Sequence, residues 1–181
     1  MPMPMHVTAL QPADLPRYRA LMLHAYDAAA DAFTSTAAER AAEPDAWWLR
    51  RIADPQGLGL AFGAFDGDAL VGTVAVEFSA KPKTRHKALI VGMFVHASAR
   101  RSGAGRALLQ AALDAARARP GLRVVTLTVT EGNAAALALY QAVGFCAFGV
   151  EPMAIATPDG FKGKVHMVLQ LPGPPPGGAL P

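Results

Sequence analysis

Residues 88–113 read ALIVGMFVHASARRSGAGRALLQAAL. The first eight form an apolar run of strand length. A polar crossing follows from His96 to Ser102, then Gly103-Ala104-Gly105, and apolar residues at helical spacing take over at once. A strand–loop–helix junction of this kind aims several backbone N–H groups at one point. The first helical turn leaves its N–H groups without intrahelical partners, and the helix dipole adds partial positive charge, so the junction is a seat for anions. Gly103 and Gly105 carry no Cβ and let a phosphate come against the backbone. Arg100, Arg101 and Arg106 surround that point with positive charge. The residues read as a diphosphate site.

Two rival phosphate loops are excluded. A P-loop needs GxxxxGK followed by Ser or Thr, and no such run occurs. A dinucleotide fingerprint needs a small residue at its sixth position, which counting from Gly103 is Leu108. That turn also leaves its strand directly, whereas seven residues separate Val95 from Gly103.

Arg100-Arg101-Ser102-Gly103-Ala104-Gly105 resembles the Arg/Gln-x-x-Gly-x-Gly/Ala signature of the GNAT N-acetyltransferase superfamily. Asn133, Tyr140 and Gly144-Phe145 in EGNAAALALYQAVGF resemble a second block of the same superfamily. The likeness covers roughly residues 61–171. It implies a single α/β domain over residues 1–171, with a mixed, mostly antiparallel central sheet splayed at the cofactor site and helices on both faces. It implies acetyl-coenzyme A as acyl donor. Its pyrophosphate would lie on Arg100, Arg101, Ser102, Gly103, Ala104, Gly105 and Arg106. The backbone of Met93, Phe94 and Val95 would pair with the pantetheine amides like another strand.

Composition narrows the class. The chain has 181 residues, a length that fits one domain, and 52 % of them are apolar, enough for a sizeable core. The net charge is +3 with no basic run longer than Arg100-Arg101, which argues against nucleic acid and fits an anionic cofactor. Cys146 is the single cysteine, so no internal disulfide forms and a reducing, cytoplasmic setting is expected. Flanked by Phe145 and Ala147, it reads as a buried structural thiol. The start, MPMPMHV, lacks the charged and apolar regions of a signal peptide, and no apolar run is long enough to span a membrane. No His, Cys and acid cluster has metal-ligand spacing, so no metal is expected.

In chain order, a strand is expected at 7–10, then a helix capped by Asp14 with Pro16 in its first turn, running to about residue 30. A second helix is expected at 44–52. Strands at 60–65 and 69–79 flank Asp66-Gly67-Asp68, a hairpin signal. Residues 81–87 form a basic loop before the central strand at 88–95. The helix after Gly105 buries Leu108, Leu109, Ala112, Leu113 and Ala116 and ends at Pro120-Gly121. A strand at 123–129 follows, parallel to the central one. A helix at 133–143, stopped by Gly144, and strands at 145–150 and 160–171 complete the domain. Residues 172–181, rich in Pro and Gly, read as a disordered tail.

Acyl transfer from a thioester to an amine needs a proton for the leaving thiolate and an acceptor for the amine proton. The resemblance makes Tyr140 the donor to the coenzyme A sulfur. A phenol, with a pKa of about 10, holds its proton at neutral pH. Asn133 is a cofactor contact, a helix N-cap, or both. The resemblance points to a glutamate base on the central strand or its neighbour, and residues 88–95 carry no acid. Glu77 on the preceding strand is the leading candidate, beside Glu131, His86, Glu39 or ordered water.

The resemblance puts the acceptor groove along the early helices. Phe33, Thr34, Glu39, Trp47 and Trp48 are its candidate contacts, against the alternative that the tryptophans pack on the sheet. Glu39 and Glu43 are placed to hold an ammonium group. Lys83, Arg85 and Lys87 are candidates to hold a carboxylate unless they are simply solvated. The function expected is transfer of acetyl to a primary amine of a small molecule or a peptide N-terminus, with a homodimer left open as the assembly. The alternatives are another acyl group, or a non-catalytic acyl-coenzyme A-binding regulatory module.

Overall fold

The computed structural model describes residues 5–173. Seven strands form one sheet in the order β1-β2-β3-β4-β5-β7-β6. They are β1 (His6–Ala9), β2 (Gly59–Asp66), β3 (Ala69–Phe78), β4 (Lys87–Val95), β5 (Val124–Thr130), β6 (Cys146–Thr157) and β7 (Gly160–Gln170). Only the β4–β5 pair is parallel, so the sheet is mixed and mostly antiparallel, as expected. The helices are α1 (Leu15–Ala28), α2 (Ala37–Ala41), α3 (Asp45–Ala53), α4 (Ala104–Ala118) and α5 (Ala134–Ala142).

The strand alternation splits the core in two. On one face, α4 buries Leu108, Leu109 and Leu113 against Val74, Val76, Val125 and Leu127. Each such side chain contributes about 1.5–3 kcal/mol on burial. On the other face, Tyr18, Met22 and Ala25 of α1 and Trp48 and Ile52 of α3 pack on Ala61 and Ala75. Trp48 is fully buried and meets Tyr18 edge-on at 5.9 Å, so it is a core residue and no acceptor contact.

Several local expectations change. Asp14 does not cap α1 with its side chain; its carboxylate accepts instead from the Gln11 N–H at 2.8 Å. The short helix α2 falls between the two helices expected from the sequence, in a stretch to which none was assigned. Thr36 and Glu39 build a reciprocal cap at its start: Thr36 Oγ1 accepts from the Glu39 N–H at 3.2 Å, and the Glu39 carboxylate accepts from the Thr36 N–H at 2.7 Å. That bond pulls the Glu39 carboxyl below its ordinary pKa. β6 extends well past residue 150, crossing Pro152 and a register shift between Glu151 and Ile155. Proline and a bulge are tolerated there because β6 is an edge strand. Cys146 lies on that edge and is exposed, contrary to the expectation of a buried thiol. Of the tail, residues 174–181 lie outside the described residues.

The feature that positions the site is a break between β4 and β5. They pair only from Lys87↔Val124 to Leu89↔Thr126. Beyond that, β5 stays with β7 as far as Thr130↔Lys164, while β4 stays with β3. Thr73 opposes Phe94 and Ala75 opposes Val91, so β4 carries one residue more than β3 over this step. Gly92 sits inside that bulge with φ +59°, a left-handed conformation that side chains resist. A bulge bends its strand, and here β4 diverges from β5.

Candidate active site

The divergence opens a cleft of about 840 Å³ that runs through the sheet from one face to the other. Ile90 to Val95 line one wall and Leu127 to Thr130 the other. On the α4 side the cleft ends at Arg100, Arg101, Gly103 and Gly105. On the α1–α3 side it ends at Tyr26, Phe33, Arg40, Arg51, Glu77 and Lys164.

The α4 mouth is built from a strained loop. Arg101 and Gly103 both adopt left-handed backbone, with φ +62° and +86°. A bulky residue held there is the kind of strain that collects at binding sites. The start of α4 has no side-chain cap; the Ala104 N–H reaches the Ser102 hydroxyl at 3.3 Å. A Cβ built at Gly103 would meet nothing within 4 Å, so the space before the helix is open. Arg100 is oriented by a bond from its Nε to the Val95 carbonyl at 3.4 Å. Two of the expected pyrophosphate contacts do not face this space. Arg106 points to solvent from the first turn of α4, and Ser102 turns its hydroxyl back to the Ala99 carbonyl.

Tyr140 and Asn133 reach the same cleft from α5. Asn133 caps the helix, its Oδ1 accepting from the Ala136 N–H at 3.2 Å, and also lines the opening. Tyr140 is buried and packs edge-on against Phe145 at 6.0 Å. Burial pushes its phenol up to about 12, which keeps the proton on the oxygen.

At the opposite mouth, Glu77 faces the cleft and pairs with Arg51 at 3.6 Å. Arg51 also faces the bulge: a Cβ on Gly92 would lie 3.8 Å from its guanidinium and 3.7 Å from the Tyr18 hydroxyl. Trp47 does not line the cleft. Its ring is the platform beneath two residues that do, with Arg40 4.3 Å and Arg51 5.2 Å from its centre. Glu43 pairs with Arg40 at 3.7 Å, Glu39 serves as a cap, and Glu131 accepts from the Gly163 N–H at 3.0 Å. None of the three faces the cleft.

The basic loop is misplaced as an acceptor wall. Arg85 and its neighbours precede Lys87, where β4 is still paired with β5, and the His86 carbonyl accepts from the Arg123 N–H at 2.8 Å. This is the closed end of the strand pair, and Arg85 lies outside the cleft.

The turn between α1 and α2 roofs the α1–α3 mouth and is tied to the far half of the sheet. Thr130 Oγ1 donates to the Asp31 carbonyl at 2.6 Å, Lys162 pairs with the Asp31 carboxylate at 2.6 Å, and Lys164 donates to the Ala32 carbonyl at 3.3 Å. Lys164 is buried, and burial lowers its pKa.

A split parallel pair, a glycine loop at a helix start and a cleft reaching both faces meet at this one site. Residues 22–145 match the family model described as acetyltransferase (GNAT) family. The chain belongs to the GNAT acetyltransferase family. A putative acetyltransferase from Salmonella typhimurium, solved with its cofactor acetyl-CoA, is 22 % identical with a TM-score of 0.80, over 98 % of this chain and 100 % of that one. A GCN5-related N-acetyltransferase from Kribbella flavida is 27 % identical with a TM-score of 0.77, over 92 % of this chain and 98 % of that one. A ribosomal-protein-alanine N-acetyltransferase from Brucella melitensis is 23 % identical with a TM-score of 0.76, over 92 % and 99 %. No curated protein matches the chain. As a GNAT acetyltransferase, the protein is an acyltransferase of a family that acetylates amines. Among the described residues no helix is long and apolar enough to cross a membrane.

Proposed function

We propose that this GNAT enzyme transfers acetyl from acetyl-coenzyme A directly to a primary amine of a small molecule or a peptide N-terminus. The observation that carries the reading is the single cleft with an anion seat at one mouth and Tyr140 in its wall. When bound, acetyl-coenzyme A supplies a thioester carbonyl open to attack by an amine. The N–H groups of Gly103 and Gly105, with Arg100 and Arg101, hold its phosphates. The β5-facing backbone of Val91 to Val95 has no strand partner and is free to pair with amides of the bound arm. Tyr140 keeps its proton in this buried setting and gives it to the leaving sulfur. Glu77, at the other mouth, takes the proton the amine loses, directly or through water. The amine enters from the α1–α3 face, opposite the phosphates. The single cysteine of the chain is in keeping with a cytoplasmic enzyme.

The test is thiol release from acetyl-coenzyme A with a panel of primary amines, in wild type and in Tyr140→Phe. Tyr140→Phe is expected to bind coenzyme A normally and to slow the chemical step by roughly 10²-fold, the low end for a lost general acid. An unchanged single-turnover rate would make Tyr140 a packing residue. A protein that binds acetyl-coenzyme A but releases no thiol with any amine would favour the regulatory binding module instead.

A further inference from the structure

The α1–α3 mouth carries an unbalanced charge that acetyl-coenzyme A does not explain. Among the described residues, the side chains lining it include three cations, Arg40, Arg51 and Lys164, against one carboxylate, Glu77, with Glu43 offsetting Arg40 from behind the lining, so one positive charge remains in excess. These cations stand on the opposite face of the sheet from the phosphate seat, and nothing in acyl transfer to a plain amine calls for them. A positively charged mouth repels an ammonium group, which is the form most amines take in water.

The two arginines are also poorly satisfied where they stand. The side chains are only 23 % and 15 % exposed. Arg40 Nε is buried with no hydrogen-bond partner. The carboxylate contacts, Glu43 at 3.7 Å and Glu77 at 3.6 Å, are ion pairs longer than a hydrogen bond. Both guanidinium groups stack on the same Trp47 ring, which fixes their planes without using their N–H donors. The reciprocal Thr36–Glu39 cap holds α2, and with it Arg40, at the mouth. Arg40 spends one donor on the Tyr26 hydroxyl. Two pre-oriented guanidinium forks with their remaining donors mostly shielded from water are the chemistry that binds a carboxylate.

We infer that the acceptor is an amine that also carries a carboxylate, held by Arg40 and Arg51 at the α1–α3 mouth. The inference rests on the acetyl-transfer reading above and names the substrate class of that site. The carboxylate cancels the excess charge of the mouth and anchors the molecule, so that its amine faces inward past Glu77 to the split between β4 and β5. Lys164 adds positive charge from the β7 side, although one of its protons is committed to the Ala32 carbonyl. The anion site comes from α2 and α3, not from the basic loop at residues 81–87.

The carboxylate belongs to a free amino acid or to an acidic side chain near a peptide N-terminus. The experiment compares thiol release with methionine against methioninamide, and with the dipeptide amides Ala-Asp against Ala-Asn. In wild type, the acid of one pair is expected to exceed its neutral partner in kcat/KM by roughly 10- to 100-fold, the span of one charge-assisted contact. Which pair shows the preference identifies the source. Arg40→Met and Arg51→Met keep an apolar stem on Trp47 and should collapse that ratio toward one while the KM for acetyl-coenzyme A stays put. The wild-type comparison stands even if a variant fails to fold. Equal turnover of acid and neutral partner in both pairs overturns the anion site and leaves acetyl transfer intact. If no amine, acid or neutral, releases thiol, the transfer reading falls and takes this inference with it.

Discussion

Gly92 offers a sharp test of how the cleft is made, because its cost can be separated from crowding. In Gly92→Ala the new methyl would find its nearest neighbours at 3.7 and 3.8 Å, in ordinary contact. No overlap term arises, so the penalty is the left-handed backbone at φ +59°, about 1–2 kcal/mol for an L-residue. The stiffer unfolded chain offsets about 0.4–1 kcal/mol of that. The net loss is about 1 kcal/mol, or a fall in Tm of about 2–4 °C for a domain of this size. Gly67, in the β2–β3 hairpin, has nearly the same φ of +58° and open space around it. Gly67→Ala therefore matches the strain without touching the cleft. Thermal melts should move together in the two variants. Calorimetry with coenzyme A should separate them, with affinity reduced only in Gly92→Ala, because relief of strain there flattens the bulge and turns Met93 to Val95 toward the wrong faces. Equal melts and wild-type affinity in Gly92→Ala would refute the argument that this bulge builds the cofactor wall.

Two further outcomes follow from the geometry. Burial raises the Tyr140 phenol from 10 to about 12, so the folded state holds this proton more tightly than the unfolded chain does. The associated stability is full below pH 10 and is lost as pH rises toward 12; melts across pH 8–12 should show that decline, and Tyr140→Phe should show less of it. Changing Arg85 and Lys87 together to Ala should leave the KM of both substrates unaltered, since this loop sits at the closed end of the β4–β5 pair; a raised acceptor KM would return the loop to the acceptor site.

The local parts of this enzyme were legible in its sequence. The Gly103–Gly105 junction could be read from its own residues, and Asn133 and Tyr140 from the resemblance that their block carries. The acceptor mouth was not, because its parts come from distant segments. Arg40 and Lys164 share a mouth only through the fold, and no periodicity relates them. Some misses had a signal. Thr36-Ala-Ala-Glu39 is the pattern of a reciprocal cap and marks α2. Gly92 interrupts an apolar strand, the usual mark of a bulge. Cys146 shows the limit of reading burial from neighbours. Phe145 beside it is buried and Phe148 is exposed, since an edge strand with apolar residues reads the same as an interior one until its place in the sheet is known.

The tie between the Asp31 turn and strands β5 and β7 gives the molecule the mechanics of a clothes peg. Its two jaws are the β1–β4 half of the sheet, which carries α1, and the β5–β7 half. The spring is the three-residue ladder at Lys87 to Leu89. The clasp across the open end is Thr130, Lys162 and Lys164 on Asp31 and Ala32. The gape between the jaws is then set at both ends rather than by the spring alone. The clasp lies at the opposite mouth from the anion seat on α4. Of its three bonds, the Lys162–Asp31 pair is partly open to water and feels dissolved salt. Raising the ionic strength is therefore expected to weaken this member of the clasp, at a distance from the anion seat.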